Sequence, residues 1–140
     1  MPVLWTAGVG TGRLTKEEFV AVTSANIARI LNIYPRKGAV AAGSDADLVI
    51  WDPAATKTIR AKKQVSRIDY NVFEGYKCTG VPWITLSRGK IAWKDGELRA
   101  ERGDGDFVAR PPFPATHVAN ATWKEISAPR PVDRKMDVVP

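Results

Sequence analysis

The sequence predicts an α+β chain with a helical first part, an antiparallel β-meander in the middle and an extended, proline-rich end. Three observations predict this order: a helix-start signature near residue 15, alternation of apolar and polar residues in 82–93, and a proline run after residue 110. The 140 residues are 44% hydrophobic and 26% charged, which is typical of a folded chain rather than a disordered one.

The clearest local signal is a helix start at Thr15. Thr15 and Glu18 have the spacing of a capping box, in which the Thr15 hydroxyl accepts from the Glu18 N–H and the Glu18 side chain reaches back. Leu14 and Phe19 occupy the two positions of a hydrophobic staple. We predict one bent helix, or two consecutive helices, over residues 15–32. Its apolar face is expected to be exposed in this chain and patterned to pack on another segment: Phe19, Val20, Ile27, Ile30 and Leu31.

The middle of the chain has the period of strands. Apolar and β-branched residues at 46–51 precede an Asp52-Pro53 turn, and alternation at 83–87 and 90–94 flanks an Arg88-Gly89 turn. A separate edge strand is predicted from Thr56 to Ile59, and Asp95-Gly96 is predicted to turn the chain into Glu97–Arg99. Residues 46–100 are therefore predicted to form a twisted meander that is half of a sandwich.

These signals divide the chain into residues 1–42, 43–100 and 101–140. The last part holds six of the ten prolines and one weak helical stretch from Asn120 to Ile126, so it is predicted to be an arm on another surface, with disorder as the alternative. Apolar residues at 3–5 have no predicted partner, so we expect Met1 to be an internal methionine of a longer protein.

The charge is uneven along the chain. The net charge is +6, and five cations without an intervening acid lie in one short stretch: Lys57, Arg60, Lys62, Lys63 and Arg67. A nucleic-acid patch, a solvated strand face and a contact with an acidic neighbour all fit this pattern. No nucleic-acid motif accompanies it, so we expect no nucleic-acid partner.

Few residues are candidates for chemistry. Asp45 and Asp47 are expected to accept from backbone N–H groups at a strand entry rather than to bind a metal. His117 is the only histidine and is expected at the surface of the tail. Cys78 stands alone, which excludes an internal disulfide and fits a reducing cytosol. No apolar run is long enough for a membrane span, and the first residues do not form a secretory signal.

Three further patterns have structural explanations. Glycines at 8, 10 and 12 lack the Lys-Ser/Thr pair of a phosphate loop, so a flexible loop is expected there. Prolines at 111–114 fit a minimal PxxP pattern, but packing on a neighbouring subunit is the favoured interpretation. Trp51, Trp83 and Trp93 lie at apolar strand positions and are expected to pack in a core or an interface.

Several motifs together resemble a known family. The string Gly38–Asp52 resembles the segment that links the catalytic barrel of amidohydrolases to their small β-sandwich. The later motifs are similar in order and spacing to those of dihydropyrimidinases and hydantoinases: Asp69–Gly75, Gly80–Pro82, Arg88–Lys90 and Lys94–Gly96. The resemblance covers about residues 1–100 and implies the C-terminal portion of such an enzyme.

The resemblance implies a fold and a reaction. The expected architecture is the closing helices of a (β/α)8 barrel, antiparallel strands of a β-sandwich and an extended C-terminal arm. The family is expected to use two zinc ions, held by a His-x-His pair, a carboxylated lysine, two further histidines and an aspartate, to open dihydropyrimidine or hydantoin rings to N-carbamoyl amino acids. With one histidine, this chain is expected to carry no catalytic, cofactor-binding or metal residue, and to be inactive and zinc-free in isolation.

The expected partners follow from the same resemblance. They are the rest of the parent barrel and other copies of the protein, joined through the C-terminal arm into a cytoplasmic homotetramer. Two alternatives stay open at this stage. One is a non-catalytic dihydropyrimidinase-like scaffold protein, which loss of the metal-binding histidines upstream would distinguish. The other is a small basic binding module.

Overall fold

The computed structural model describes residues 1–132, apart from the side chains of residues 114, 116 and 117. The chain forms two compact units that divide after Arg110. Helical segments are α1 (Pro2–Leu4) with a π-helical segment (Trp5–Val9), α2 (Lys16–Val20) with a π-helical segment (Ala21–Ala25), α3 (Asn26–Ile30), a 3-10 turn (Ala61–Lys63) and α4 (Pro114–Ile126). The strands are β1 (Leu48–Thr58), β2 (Lys77–Ser87), β3 (Lys90–Lys94) and β4 (Glu97–Leu98). The α+β class with an antiparallel sheet is thus confirmed.

The predicted helix over residues 15–32 is confirmed as one continuous helix, here called the second helix (α2, its π segment and α3). The Glu18 backbone N–H donates to Thr15 Oγ1 at 3.1 Å, and the Thr15 N–H donates to Glu18 Oε2 at 2.8 Å, which completes the capping box. The helix ends at Ile30 with Leu31 as its C-cap, after which Asn32 takes a left-handed φ of 56°. A π segment lies between α2 and α3.

The first helix (α1 and its π segment) corrects two expectations. Gly8 was expected in a flexible loop, but it is buried within the π segment, and the Leu14 side chain fills the space where a Cβ would lie. Gly10 also has a helical φ of −62°. Trp5, for which the sequence offered no partner, is partly buried and packs on the second helix and on the sheet. Residues 2–9 are therefore helical rather than a loop, and Trp5 attaches this helix to the rest of the unit.

An aromatic cluster of Trp5, Phe19 and Trp51 forms the centre of the first unit. The ring centroids lie 5.1 Å apart for Trp5 and Phe19, 5.2 Å for Trp5 and Trp51, and 5.6 Å for Phe19 and Trp51. These separations are within the preferred range for aromatic pairs. Since the three rings come from the first helix, the second helix and β1, the cluster joins all three layers of the unit.

Gly80 of β2 makes room for the Trp5 ring. Gly80 has a φ of +85°, and a Cβ built there would overlap the indole. Beside this contact, the Thr79 N–H donates to Thr6 Oγ1 at 3.0 Å, and the Thr6 hydroxyl lies 3.0 Å from the Thr79 carbonyl oxygen. The first helix is therefore held on β2 by ring packing and by a threonine hydroxyl that satisfies strand backbone groups.

The sheet is an antiparallel meander in the order β1-β2-β3-β4. Both predicted turns are present. Arg88 and Gly89 have φ values of 50° and 80°, and Asp95 and Gly96 have 51° and 92°, which are the positive values that a tight two-residue hairpin turn requires. The predicted hairpin of residues 83–94 is thereby confirmed. A second sheet that would complete a sandwich stays a prediction.

The prediction of a separate edge strand from Thr56 to Ile59 was wrong. β1 runs unbroken from Leu48 to Thr58, and its pairing with β2 shifts register between Asp52 and Thr56. Asp52 does not close the strand. Its Oδ1 instead accepts from the N–H groups of Ala54 and Ala55, at 2.9 and 3.0 Å, within an irregular bulge.

The buried apolar core is small. Among the described residues, the buried hydrophobic side chains are Phe19, Ala28 and Cys78. Large apolar side chains of the second helix and its C-terminal end are instead exposed by 40 to 76% of their surface: Val20, Val22, Ile27, Ile30 and Leu31. Phe19 was expected on this exposed face, but the aromatic cluster buries it. The remaining exposure agrees with the expectation of a helix patterned to pack on something else.

The second unit contains α4, which is longer than the stretch predicted near Asn120. It begins at Pro114, where proline is compatible with the first helical turn, and it ends at Ile126. Val118, Trp123 and Ile126 are each exposed by more than 60%. No helix among the described residues is long and apolar enough to cross a membrane.

We predict that Gly80→Ala destabilises the first unit much more than Gly43→Ala. Both glycines have positive φ, +85° at Gly80 and +88° at Gly43, so alanine strains both backbones by about 1–2 kcal/mol. Only Gly80→Ala also drives a methyl group into Trp5, which adds about 1–3 kcal/mol of overpacking. Urea unfolding followed by tryptophan fluorescence measures the difference. Equal midpoints for the two variants would show that the Trp5 contact does not hold the unit together.

Candidate functional site

The structure disperses most residues that the sequence singled out. Cys78 is buried in β2 with 1% exposure. His117 lies in α4, and its side chain is outside the described residues. Trp51 packs in the aromatic cluster as expected, whereas Trp83 is 49% exposed and donates from Nε1 to Asp95 Oδ1 at 2.6 Å. Of the predicted candidates, the structure brings together Asp45 and Asp47.

These two aspartates form a charged junction with Arg36 and Lys37. Lys37 Nζ lies 2.8 Å from Asp45 Oδ2 and is also paired with Asp47, so one ammonium bridges both carboxylates. Arg36 Nε donates to Asp45 Oδ2 at 3.0 Å. The junction is therefore a charge-matched cluster of two cations and two anions at the point where the linker after the second helix enters β1.

The junction shifts the pKa of three of its members. The hydrogen bonds to Asp45 and Asp47 raise the pKa of Lys37 above its ordinary 10.5. The hydrogen bond from Lys37, supported by Arg36, lowers the pKa of Asp45 below 3.8. Desolvation pushes the pKa of Asp47 upward, but hydrogen bonds from Lys37 and from the Arg88 N–H outweigh it and leave that pKa lowered. Each shift favours the charged form, as expected for a satisfied ion cluster.

The junction is attached to the β2–β3 turn. Asp47 Oδ1 accepts from the Arg88 backbone N–H at 2.8 Å, and the Gly89 N–H donates to the Ala46 carbonyl at 3.0 Å. The expectation that both aspartates accept from backbone N–H groups is confirmed for Asp47, whose donor lies 41 residues away in the sequence. For Asp45 it was wrong, because that carboxylate is paired with the side-chain cations of Arg36 and Lys37. Through Asp47, the linker, β1 and the β2–β3 hairpin share one set of hydrogen bonds.

Two further ion pairs connect this turn to the segment after the sheet. The Arg88 guanidinium pairs with Asp106, and Lys90 Nζ lies 3.5 Å from Asp104 Oδ1. The Glu101 N–H donates to Asp104 Oδ2 at 2.7 Å and is the main cause of the lowered pKa of Asp104, with Lys90 adding to it. These contacts keep residues 101–106 beside the sheet, although that stretch was predicted to begin the arm.

The arrangement is suited to holding elements together rather than to catalysis. The carboxylates of the junction are occupied by cations and backbone donors, which removes the free base that proton transfer would need. Among the side chains that the structure describes, no group of three or more His, Cys, Asp or Glu residues is placed to hold a metal. The expectation that this chain contributes no catalytic residue stays a prediction.

Lys37 was the residue that sequence reasoning missed. Asp45 and Asp47 are two apart in an extended segment, which places their side chains on the same side. Two carboxylates on one side favour a nearby cation, and that was the available signal. It did not identify Lys37, because the linker between Lys37 and Asp45 has no regular period from which its path can be derived.

Comparison with known proteins identifies the family. The Amidohydrolase family model matches residues 1–92. The chain belongs to the amidohydrolase family. Within that family its similarity is to dihydropyrimidinases and hydantoinases. It is 50% identical over 113 residues to Dihydropyrimidinase of Rattus norvegicus, covering 81% of this chain and 22% of the relative. It is 47% identical over 116 residues to human Dihydropyrimidinase-related protein 5, covering 83% of this chain and 21% of the relative.

Solved structures agree with the sequence relatives of this amidohydrolase chain. The D-hydantoinase (dihydropyrimidinase) from Thermus sp. superposes with a TM-score of 0.72 at 44% identity over 75% of this chain and 23% of that one. The L-hydantoinase (dihydropyrimidinase) from Arthrobacter aurescens superposes with a TM-score of 0.76 at 39% identity, over 79% and 24% respectively. The chain thus spans less than a quarter of the length of these relatives.

We predict that Lys37→Met flattens the acid side of the stability profile. Asp45 and Asp47 have lowered pKa values in the folded state, so their stabilising effect is present above their unfolded pKa and is lost as pH falls through the lowered values. The urea midpoint of the native chain should therefore fall from about pH 5 downward. The urea midpoint of Lys37→Met should be lower than that of the native chain at neutral pH, and it should decrease less as the pH falls.

Lys16→Met is the matched control, because Lys16 is exposed and makes no ion pair within residues 1–132. It should follow the native pH profile. Parallel acid profiles for Lys37→Met and the native chain would show that the junction does not contribute to stability.

Proposed function

We propose that this chain is the C-terminal structural portion of a cyclic amidohydrolase that hydrolyses the ring amide of dihydropyrimidines or hydantoins to N-carbamoyl amino acids. The observation that carries the proposal is the 50% identity to rat Dihydropyrimidinase over 81% of the chain. Superposition on hydantoinase structures over three quarters of the chain supports the same reaction class. The reacting groups belong, in this proposal, to segments outside this chain.

The zinc site that the family implies does not fit the residues present. A catalytic zinc needs at least three nitrogen, sulfur or carboxylate ligands arranged around it. The two carboxylates of the charged junction, Asp45 and Asp47, are both held by Lys37. The sequence offers a single histidine and a single cysteine. We therefore assign no zinc ligand to this chain and derive no chemical step from it.

The work of the chain, in this proposal, is to close a (β/α)8 barrel with its helices and to supply strands of a β-sandwich. The exposed apolar side chains of the second helix provide the surface that packs on the barrel. Trp51 Nε1 is buried without a hydrogen-bond partner among the described residues, and a buried donor of this kind calls for an acceptor from a neighbouring segment. The aromatic cluster would then transmit the position of the barrel to the sheet.

A chimaera tests this role. The matching segment of rat Dihydropyrimidinase is replaced by this chain, and ring opening of a dihydropyrimidine is followed. We expect the chimaera to be active, because the chain replaces packing surfaces and no reacting group. Ile27→Asp with Ile30→Asp should abolish the folded, active enzyme, since an unpaired buried charge costs about 3–5 kcal/mol.

Val40→Asp is the control for that variant. Val40 is 87% exposed and lies in the linker, outside the helix, so one carboxylate introduced there should change stability by less than about 0.5 kcal/mol. A folded chimaera that lacks activity would contradict the proposal, because it would show that this segment must supply more than packing. So would full activity of the Ile27 and Ile30 variant.

A non-catalytic scaffold is the second candidate. It is favoured by the 47–48% identity to Dihydropyrimidinase-related protein 5 of human and mouse, which is nearly as high as the identity to the rat Dihydropyrimidinase. The packing role of this chain would be the same in both cases. Zinc content of the parent protein distinguishes them, since the scaffold would lack the metal-binding histidines.

We also propose that the second unit is an arm that docks on a neighbouring subunit. Its helix α4 exposes Val118, Trp123 and Ile126 by 63 to 68%, and Trp123 and Ile126 are spaced to share one side of the helix. Phe107, just before this unit, is 90% exposed. Large exposed aromatic and aliphatic anchors on a proline-flanked segment suit docking into a groove of a partner.

We predict that truncation of the parent protein after Asp106 lowers its oligomeric state. The truncation keeps the Arg88–Asp106 ion pair and removes α4 with its apolar anchors. Light scattering measures the mass of the assembly, and Trp123→Ser with Ile126→Ser tests the anchors without shortening the chain. An assembly of unchanged mass and thermal stability in both variants would exclude the arm.

A further inference from the structure

The segment between β1 and β2 forms a compact loop, residues 59–76, here called the basic loop. It is closed at its base by the Ile59 N–H, which donates to the Tyr76 carbonyl at 2.9 Å, and by the Gly75 N–H, which donates to the Ile59 carbonyl at 2.9 Å. Inside it, Gln64 Nε2 donates to the carbonyls of residues 68 and 70, and Asn71 Nδ2 donates to Gln64 Oε1 at 2.9 Å. These bonds give the loop a defined shape of its own.

The loop carries cations that lack counter-ions. Glu74 is occupied internally, because its Oε2 accepts from the Ala61 N–H at 2.7 Å and its Oε1 lies 3.4 Å from Arg60. Lys62, Lys63 and Arg67 are exposed and form no ion pair within the part of the chain that the structure describes. A groove beside them is lined by Arg60, Lys62, Lys63, Asp69, Tyr70 and Glu74. The loop thus presents a positive, concave surface whose charge its own carboxylates do not balance.

Apolar side chains are interleaved with these cations. Val65, Ile68 and Val72 are exposed by 60, 55 and 81%, and Tyr70 by 67%. A purely solvated charged face does not require four large apolar groups in one loop. Apolar groups rimmed by charges on a loop of fixed shape are typical of a surface that binds another protein.

We propose that the basic loop binds an acidic polypeptide segment of another protein, in which carboxylates alternate with apolar side chains. The carboxylates pair with Lys62, Lys63 and Arg67, and the apolar side chains pack on Val65, Ile68 and Val72. A nucleic acid fits less well, because its uniform phosphate charge would meet the carboxylates of Asp69 and Glu74 in the same groove.

Fluorescence anisotropy with the full 140-residue chain tests the proposal. The probes are a labelled peptide of about 12 residues that repeats Glu-Leu-Glu, and a single-stranded DNA of about 12 nucleotides. We expect the peptide to bind, and we expect its affinity to fall as the salt concentration rises from about 50 to about 200 mM, because salt screens exposed charges. Lys62→Glu with Lys63→Glu should raise the peptide Kd by at least about tenfold, through repulsion of the same carboxylates.

Two comparisons separate the loop from general effects. Lys16→Glu with Lys124→Glu makes the same change in net charge at exposed sites outside the loop and should leave the Kd unchanged. Ile68→Ser should weaken binding of the peptide and leave any binding of DNA unchanged. Circular dichroism monitors the fold, and Lys62→Gln with Lys63→Gln replaces the reversal variant if that one unfolds. The proposal is overturned if the peptide does not bind at low salt, if DNA binds more tightly, or if the control variant weakens binding equally.

Discussion

The first unit depends on the contact between the Trp5 ring and the backbone of Gly80. A side chain at position 80 would displace the ring, and the ring touches the second helix, β1 and β2 together. Its position is fixed further by the hydrogen bonds between Thr6 and Thr79. The layers of a unit with few buried side chains are thereby joined through one large, shape-specific contact.

The charged junction joins the linker after the second helix to the sheet by a different interaction. Lys37, Asp45 and Asp47 are partly exposed, so their attraction is screened by salt and changes with proton concentration. Burial of aromatic surface responds to neither in the same way. The helices therefore meet the sheet through an apolar contact that is insensitive to ionic conditions, while the linker meets the β2–β3 turn through one that is sensitive to them.

Features with a local cause were predictable, and features with a distant cause were not. The capping box at Thr15 and the turns at Arg88 and Asp95 depend on residues within four positions of one another, and each is present. The partner of Trp5 lies 75 positions away at Gly80, and no local pattern connects them. Pro53 led to the prediction that the strand ends there, although β1 pairs with β2 on both sides of it. A bulge that tolerates proline has the same sequence signature as a turn, so the continuation of the strand was not predictable. The junction was half predicted: its aspartates have a local spacing, whereas Lys37 reaches them through an irregular linker.

The bulge in β1 also affects how the chain meets other copies of itself. β1 is an edge strand, and edge strands offer free N–H groups on which a foreign strand can add. In the bulge, Pro53 has no N–H, and those of Ala54 and Ala55 already donate to the Asp52 carboxylate. Three consecutive positions of the edge therefore have no donor to offer. An incoming strand would lose register there, so the irregularity protects an otherwise long and partly apolar edge from the edge-to-edge strand addition that begins fibrillar aggregation.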